Sequence, residues 1–258
     1  YERIKMDLKM KGMNAIVTGG TKGIGHAIVE ALIGEGVNVA FCARNADEVK
    51  KTESDLSKSG AKVIGTSVDV GNATQLTKWV NDSAKALGGL DIVVCNVSAL
   101  AIPESEENWQ ASFNVDVMHT VRTCTAAIPY LEKSKSASIV NISSVSGREA
   151  DFAGGPYGTA KSAIIAYTAH LSFSLAAKNI RANTVSPGNT YFPGGVWENI
   201  EGGNPELFKF AMELNPTGRM GTPEEQAYAV TMLSSPRASR ISGTNLVVDG
   251  ALTRGIQF

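Results

Sequence analysis

Short apolar runs rich in valine and isoleucine alternate along the chain with longer stretches of helical period. The runs 13–18, 37–43, 62–68, 90–96, 137–143, 180–186 and 244–248 read as strands. Several are apolar at both alternating positions, which suits a parallel sheet covered on two faces. Between them, apolar residues recur every three to four positions over 24–35, 46–58, 73–87, roughly 107–132, 157–178, 205–214 and 223–235, the spacing of amphipathic helices. Strand and helix take turns with short links. That order predicts an α/β fold: one Rossmann-type doubly wound domain over 1–258, with about seven parallel strands flanked by helices. One stretch breaks the pattern. From Pro187 to Pro205 the chain is rich in glycine and proline and shows no period. Irregular stretches of that length are usually functional, and the segment 189–216 reads as a lid over a substrate site.

Composition narrows the class. Of 258 residues, 43% are hydrophobic and 19% charged, which excludes a disordered chain and suffices for a large core. The net charge of −1, with no basic stripe, argues against a nucleic-acid partner. No run approaches the roughly 18 apolar residues that span a bilayer, so no membrane partner is expected. Tyr1 to Lys11 carry no apolar signal core, and a cytoplasmic location is expected. Met6 reads as a natural start, with residues 1–5 an appended remnant outside the fold. Cys42, Cys95 and Cys124 stand apart among apolar neighbours and read as buried free thiols. His26, His119 and His170 show no metal-ligand spacing, so no metal site is expected.

The first strand ends in Thr18-Gly19-Gly20-Thr21-Lys22-Gly23-Ile24-Gly25, and a helix follows. Glycines there let backbone N–H groups approach a pyrophosphate at the positive end of the helix. This turn resembles the TGxxxGxG motif of the short-chain dehydrogenase/reductase family, and the likeness runs through the chain from Leu8 onward. Cys95-Asn96-Val97-Ser98 is similar to the family's NNAG, Pro187-Gly188 to its PG, and Asp249-Gly250 to its DG. The resemblance implies a nicotinamide cofactor held by Gly19, Thr21, Lys22, Gly23, Ile24, Gly25, Asp69, Val70, Asn96, Val97, Ser98, Pro187, Gly188 and Thr190. The second strand ends in Ala43-Arg44. An NAD enzyme usually places a carboxylate there for the ribose 2′-OH. An arginine pairs instead with a 2′-phosphate, so Arg44 and Lys22 point to NADP.

Tyr157 and Lys161 stand at i and i+4, on one helix face. They resemble the family's YxxxK, with Ser144 thirteen positions earlier. A phenol titrates near 10, and acid–base work near neutrality needs a value nearer 7. The difference is about 4 kcal/mol, which an ammonium roughly 4 Å away supplies at an effective dielectric of 20. By resemblance Lys161 also binds the nicotinamide ribose, Ser144 bonds the substrate carbonyl, and Asn114 joins a water-linked relay to the lysine. The implied reaction interconverts a ketone and a secondary alcohol, with Tyr157 exchanging the proton.

The lid is apolar and the cleft shows no cluster of cations, so a compact apolar carbonyl is expected, touched by Ser144, Tyr157, Phe152, Tyr191 and Trp197. Alternatives are a 3-oxoacyl thioester reductase, a polyol or steroid dehydrogenase, and a non-catalytic NADP sensor. A cofactor-free lyase is disfavoured by Lys161 and the glycine turn. Ser98 replaces a family glycine and puts a hydroxymethyl near the expected nicotinamide pocket. The resemblance further implies a homotetramer, joined through the helices of Asn114 and Tyr157 and through the tail Leu252–Phe258.

Overall fold

A computed structural model describes residues 7–255. The readings of residues 1–5 as a remnant and of 256–258 as a buried tail end lie outside that range. Seven strands form one parallel sheet in the order β3-β2-β1-β4-β5-β6-β7. They are β1 (Asn14–Thr18), β2 (Asn38–Ala43), β3 (Val63–Ser67), β4 (Ile92–Cys95), β5 (Ala137–Ile142), β6 (Ile180–Pro187) and β7 (Asn245–Val248). The chain builds outward from β1 to β3, returns to the other side of β1 at β4, and builds outward again. A crevice opens at that reversal, beyond the carboxyl ends of β1 and β4.

Nine α-helices flank the sheet: α1 (Gly23–Gly34), α2 (Ala46–Leu56), α3 (Ala73–Leu87), α4 (Glu106–Ala111), α5 (His119–Leu131), α6 (Thr159–Leu175), α7 (Val196–Gly203), α8 (Pro205–Glu213) and α9 (Pro223–Ser234), among the described residues. Their starts carry the expected caps. Asn45 accepts from the N–H groups of Asp47 and Glu48, Asn72 from those of Thr74 and Gln75, and Thr222 forms a capping box with Glu225. Alternate strand residues enter opposite layers. Ala15 and Val17 face α1 and α9, where Ile28, Leu32, Val230 and Leu233 are buried. Ile16 and Val93 face α3, α5 and α6, with Leu76, Trp79, Leu131 and Leu171. Each buried valine, leucine or isoleucine among them contributes roughly 1.5–3 kcal/mol.

The structure refines two expected elements. The single helix of 107–132 is α4 and α5 joined by a π-helical segment, Ser112–Met118. The irregular stretch after Pro187 contains α7, which packs with α8 around Trp197, Ala211 and Met220 as a core of its own. All three cysteines are free and buried. No helix among the described residues is long and apolar enough to cross a membrane.

Candidate active site

The glycine turn is shaped by close backbone approach. A Cβ on Gly25 would stand 2.0 Å from the Gly19 carbonyl oxygen and 2.5 Å from Asn96 Nδ2, so only glycine brings α1 this near β1. Gly19 has φ +74°, a left-handed conformation that favours glycine. Asn96 clamps the turn, its Nδ2 donating to the Thr18 carbonyl at 3.2 Å and its backbone N–H to Thr18 Oγ1 at 2.9 Å. Behind the turn, His119 Nε2 lies 2.9 Å from Thr18 Oγ1, and Nδ1 lies 2.8 Å from the Val115 carbonyl. A carbonyl only accepts, so Nδ1 carries the proton and Nε2 accepts from the threonine hydroxyl. Burial pushes the His119 pKa down to about 4, and the ring is neutral.

One cavity of about 1110 Å³ runs from this turn to the lid. At its nucleotide end stand Thr21, Lys22, Ile24, Arg44, Asp69 and Val70, with the N-terminus of α1. Lys22 pairs with Glu48 at 2.8 Å. Among the described residues no ion pair engages Arg44.

At the other end, β5 delivers Ser143 and Ser144. Ser143 Oγ donates to the Lys161 carbonyl at 2.8 Å and so ties β5 to α6. Ser144 lines the cavity, its Oγ accepting from the Ser146 N–H at 3.2 Å. Tyr157 lies in a π-turn, Gly154–Gly158, that leads into α6. Lys161 follows on α6, its Nζ 5.5 Å from the tyrosine ring centre and 3.3 Å from the Ile142 carbonyl.

A family model described as enoyl-(acyl carrier protein) reductase matches residues 19–253. Isoepoxydon dehydrogenase of Penicillium expansum is 40% identical over 255 residues, covering 96% of this chain and 98% of that protein. The chain belongs to the short-chain dehydrogenase/reductase family. A 3-oxoacyl-[acyl-carrier-protein] reductase of Chlamydia muridarum is 35% identical over 245 residues, 92% of this chain and 96% of that one. Among solved structures, L-sorbose reductase from Gluconobacter frateurii, complexed with NADPH and L-sorbose, superposes with a TM-score of 0.90 at 26% identity, covering 97% of this chain and 100% of that one. A dehydrogenase of Burkholderia cenocepacia in complex with NADP gives 0.87 at 25% identity, covering 95% and 99%. Membership makes the protein an oxidoreductase working between alcohol and carbonyl.

Most of the residues expected at the dehydrogenase's site line this cavity, including Asn96, Val97, Ser98, Pro187, Gly188, Thr190, Phe152 and Trp197. Three do not. Gly23 lies beneath the Phe192 ring, which would stand 2.4 Å from a Cβ there. Tyr191 turns into the lid, its hydroxyl donating to Glu201 at 2.6 Å and its ring against Phe208. Asn114 turns the other way along its helix. Its Nδ2 donates to the Gly71 carbonyl at 3.2 Å, and its Oδ1 accepts from Arg122 at 2.9 Å.

The side chain that reaches the lysine is Asp116, with Oδ1 3.0 Å from Lys161 Nζ and both side chains buried. The ammonium beside the phenol thus has a buried ionic partner. Burial alone would lower the Lys161 pKa, but the Asp116 charge, helped by Tyr157, outweighs it and raises it. A carboxylate between two valines in an otherwise apolar stretch, Val115-Asp116-Val117, was the available signal. Ser98 lines the cavity, and its Oγ accepts from the Leu100 N–H at 3.0 Å. Sequence reasoning also missed the chain end. Asp249 accepts from the backbone and hydroxyl of Thr253 at 2.9 and 2.7 Å, and Leu252, Thr253 and Arg254 form part of the cavity wall.

Proposed function

We propose that this dehydrogenase reduces a compact, largely apolar ketone, or oxidises the matching secondary alcohol, with NADP(H). The observation that carries the reading is that Ser144, Tyr157 and Lys161 share one cavity with the glycine turn and Arg44. The residues fit the cofactor: the bare Gly19–Gly25 approach admits a pyrophosphate, and Arg44 is free to meet a 2′-phosphate. The complexes of two solved relatives with NADPH or NADP support the same choice. When bound, the nicotinamide supplies or takes the hydride. Ser144 donates to the carbonyl oxygen as negative charge develops, and Tyr157 gives that oxygen its proton. Lys161 keeps the phenol in an electropositive setting and offers a donor to the cofactor ribose.

Phe152 and Trp197 meet edge-on at 6.2 Å over the substrate end, where Ile102, Val196 and Leu214 add apolar wall. Glu149 and Asp151 line the cavity together with Arg254, and the two carboxylates disfavour polyanionic carriers. A panel of ketones and alcohols, followed by NADPH absorbance, tests the substrate class. Better turnover of 3-oxoacyl thioesters or polyols than of apolar ketones rejects it.

The cofactor choice has its own outcome. A charge-assisted bond is worth about 1.5–3 kcal/mol, so Arg44→Leu should lower kcat/KM with NADPH roughly 10- to 100-fold and leave NADH nearly unchanged. The effect is assigned to Arg44 because Glu48 already engages Lys22. A wild-type enzyme that prefers NADH, or uses the two equally, overturns the assignment.

Assembly as a homotetramer belongs to the same proposal. Phe173 on α6 is 86% exposed, and Phe113 and Met118 beside α4 and α5 are exposed as well, an apolar surface that a neighbouring subunit would cover. Light scattering at micromolar concentration should give four subunits, with two as the fallback. A monomer mass refutes the proposal.

A further inference from the structure

We propose that Asp116 is a positioning residue for proton transfer, holding Lys161 and offsetting part of its charge, so that it sets the pH range in which Tyr157 exchanges its proton. The inference rests on the reading of Tyr157 as acid and base. Asp116 sits in the π-helical segment Ser112–Met118, its side chain fully buried. Oδ1 meets Lys161 Nζ at 3.0 Å, and Oδ2 accepts from the Ala99 N–H at 3.0 Å. The carboxylate therefore joins the catalytic lysine to the loop after β4 that walls the cavity. Lys161 itself is 2% exposed, and besides Asp116 its Nζ donates to the Ile142 carbonyl at 3.3 Å, an acceptor that the ammonium keeps when Asp116 is neutral.

The titratable groups around the pair are few. Tyr157 faces Lys161 from the π-turn before α6. His119, next along the helix from Asp116, is neutral and bonded to Thr18 and Val115. The tyrosine thus feels a lysine cation and an aspartate anion, and the two effects oppose each other. A lone ammonium would favour the phenolate more strongly than this pair does.

The experiment is the pH profile of kcat/KM for alcohol oxidation. Asp116→Asn preserves the shape of the side chain and its capacity to accept from Lys161. It should move the acidic limb to lower pH by about one unit, with NADPH affinity, measured by fluorescence titration, within about threefold of wild type. Asp116→Glu keeps the charge and should retain the wild-type limb. Should the asparagine variant not fold, Asp116→Thr serves as the neutral variant. Isotope-edited infrared spectroscopy of the wild-type protein gives a check that needs no variant: an ionised carboxylate band for Asp116 at neutral pH is expected, and a protonated band overturns the proposal. A folded neutral variant whose profile superimposes on wild type also overturns it. If Tyr157→Phe retains full activity, it is the reading of the acid that fails, and the two failures remain distinct.

Discussion

Tyr157→Phe is expected to lower kcat/KM for ketone reduction by roughly 100- to 10,000-fold, the usual worth of a positioned general acid. The expectation has two parts. The phenol is the hydroxyl on the cavity wall that stands beside the buried ammonium, at 5.5 Å from ring centre to Nζ, and phenylalanine removes its proton while keeping the ring. The rest of the site should survive. Among the described residues the Tyr157 hydroxyl makes no hydrogen bond within the protein, while Lys161 keeps Asp116 and the Ile142 carbonyl. No buried polar group is stranded, so the melting temperature and NADPH affinity should stay near wild type. Stopped-flow reduction assays beside fluorescence titration check both parts. Activity within tenfold of wild type removes Tyr157 from the role.

A comparably large effect is expected on stability, and it belongs to His119. Its pKa falls from the ordinary 6.5 to about 4, chiefly because burial disfavours the charged ring. In the unfolded chain the imidazole takes a proton as the pH drops below about 6.5, while in the folded chain it does so only near 4. Folding is therefore fully supported by the neutral ring above about 6.5 and loses that support as the pH falls toward 4. The interval corresponds to about 3 kcal/mol, or roughly 6–12 °C in melting temperature for a domain of this size. His119→Gln cannot titrate, so its melting temperature should fall less over that range. Scanning calorimetry of both proteins from pH 7 to pH 4 decides it. Parallel curves would show that His119 contributes nothing to acid sensitivity.

The sheet was readable because a strand buried on two faces is an apolar run: six of the seven runs contain their observed strands with one to three residues to spare, and β6 reaches one residue past its run. The nucleotide end was readable because glycine at a close approach has few substitutes. The ionic partner of Lys161 was not. A π-turn closes i→i+5 bonds and shifts the facing of side chains by about one residue, without any mark in the hydrophobic period. Counting along 107–132 as one regular helix leaves Asp116 unmarked, while Asn114 bonds to the Gly71 carbonyl and Arg122. The helix α7 within 189–216 was hidden for another reason. Gly194, Gly195, Gly202 and Gly203 bracket α7 and hide a short helix whose apolar residues fold onto α8. Tyr191 went with that small core, and Phe192, which no motif singled out, came to cover Gly23.

The packing of α1 against α9 has a consequence for the order in which the molecule can be made. The two helices begin at Gly23 and Pro223, about two hundred residues apart, and at ordinary synthesis rates of about 5–20 residues per second their meeting is delayed by some 10–40 seconds. Throughout that interval one flank of the nucleotide-binding helix, with Ile28, Val29 and Leu32, has no cover from the far end of the chain. Nascent chains must be kept apart until residue 234 has emerged. A message cut short before α9 should yield an aggregating product rather than a half-sized cofactor-binding module.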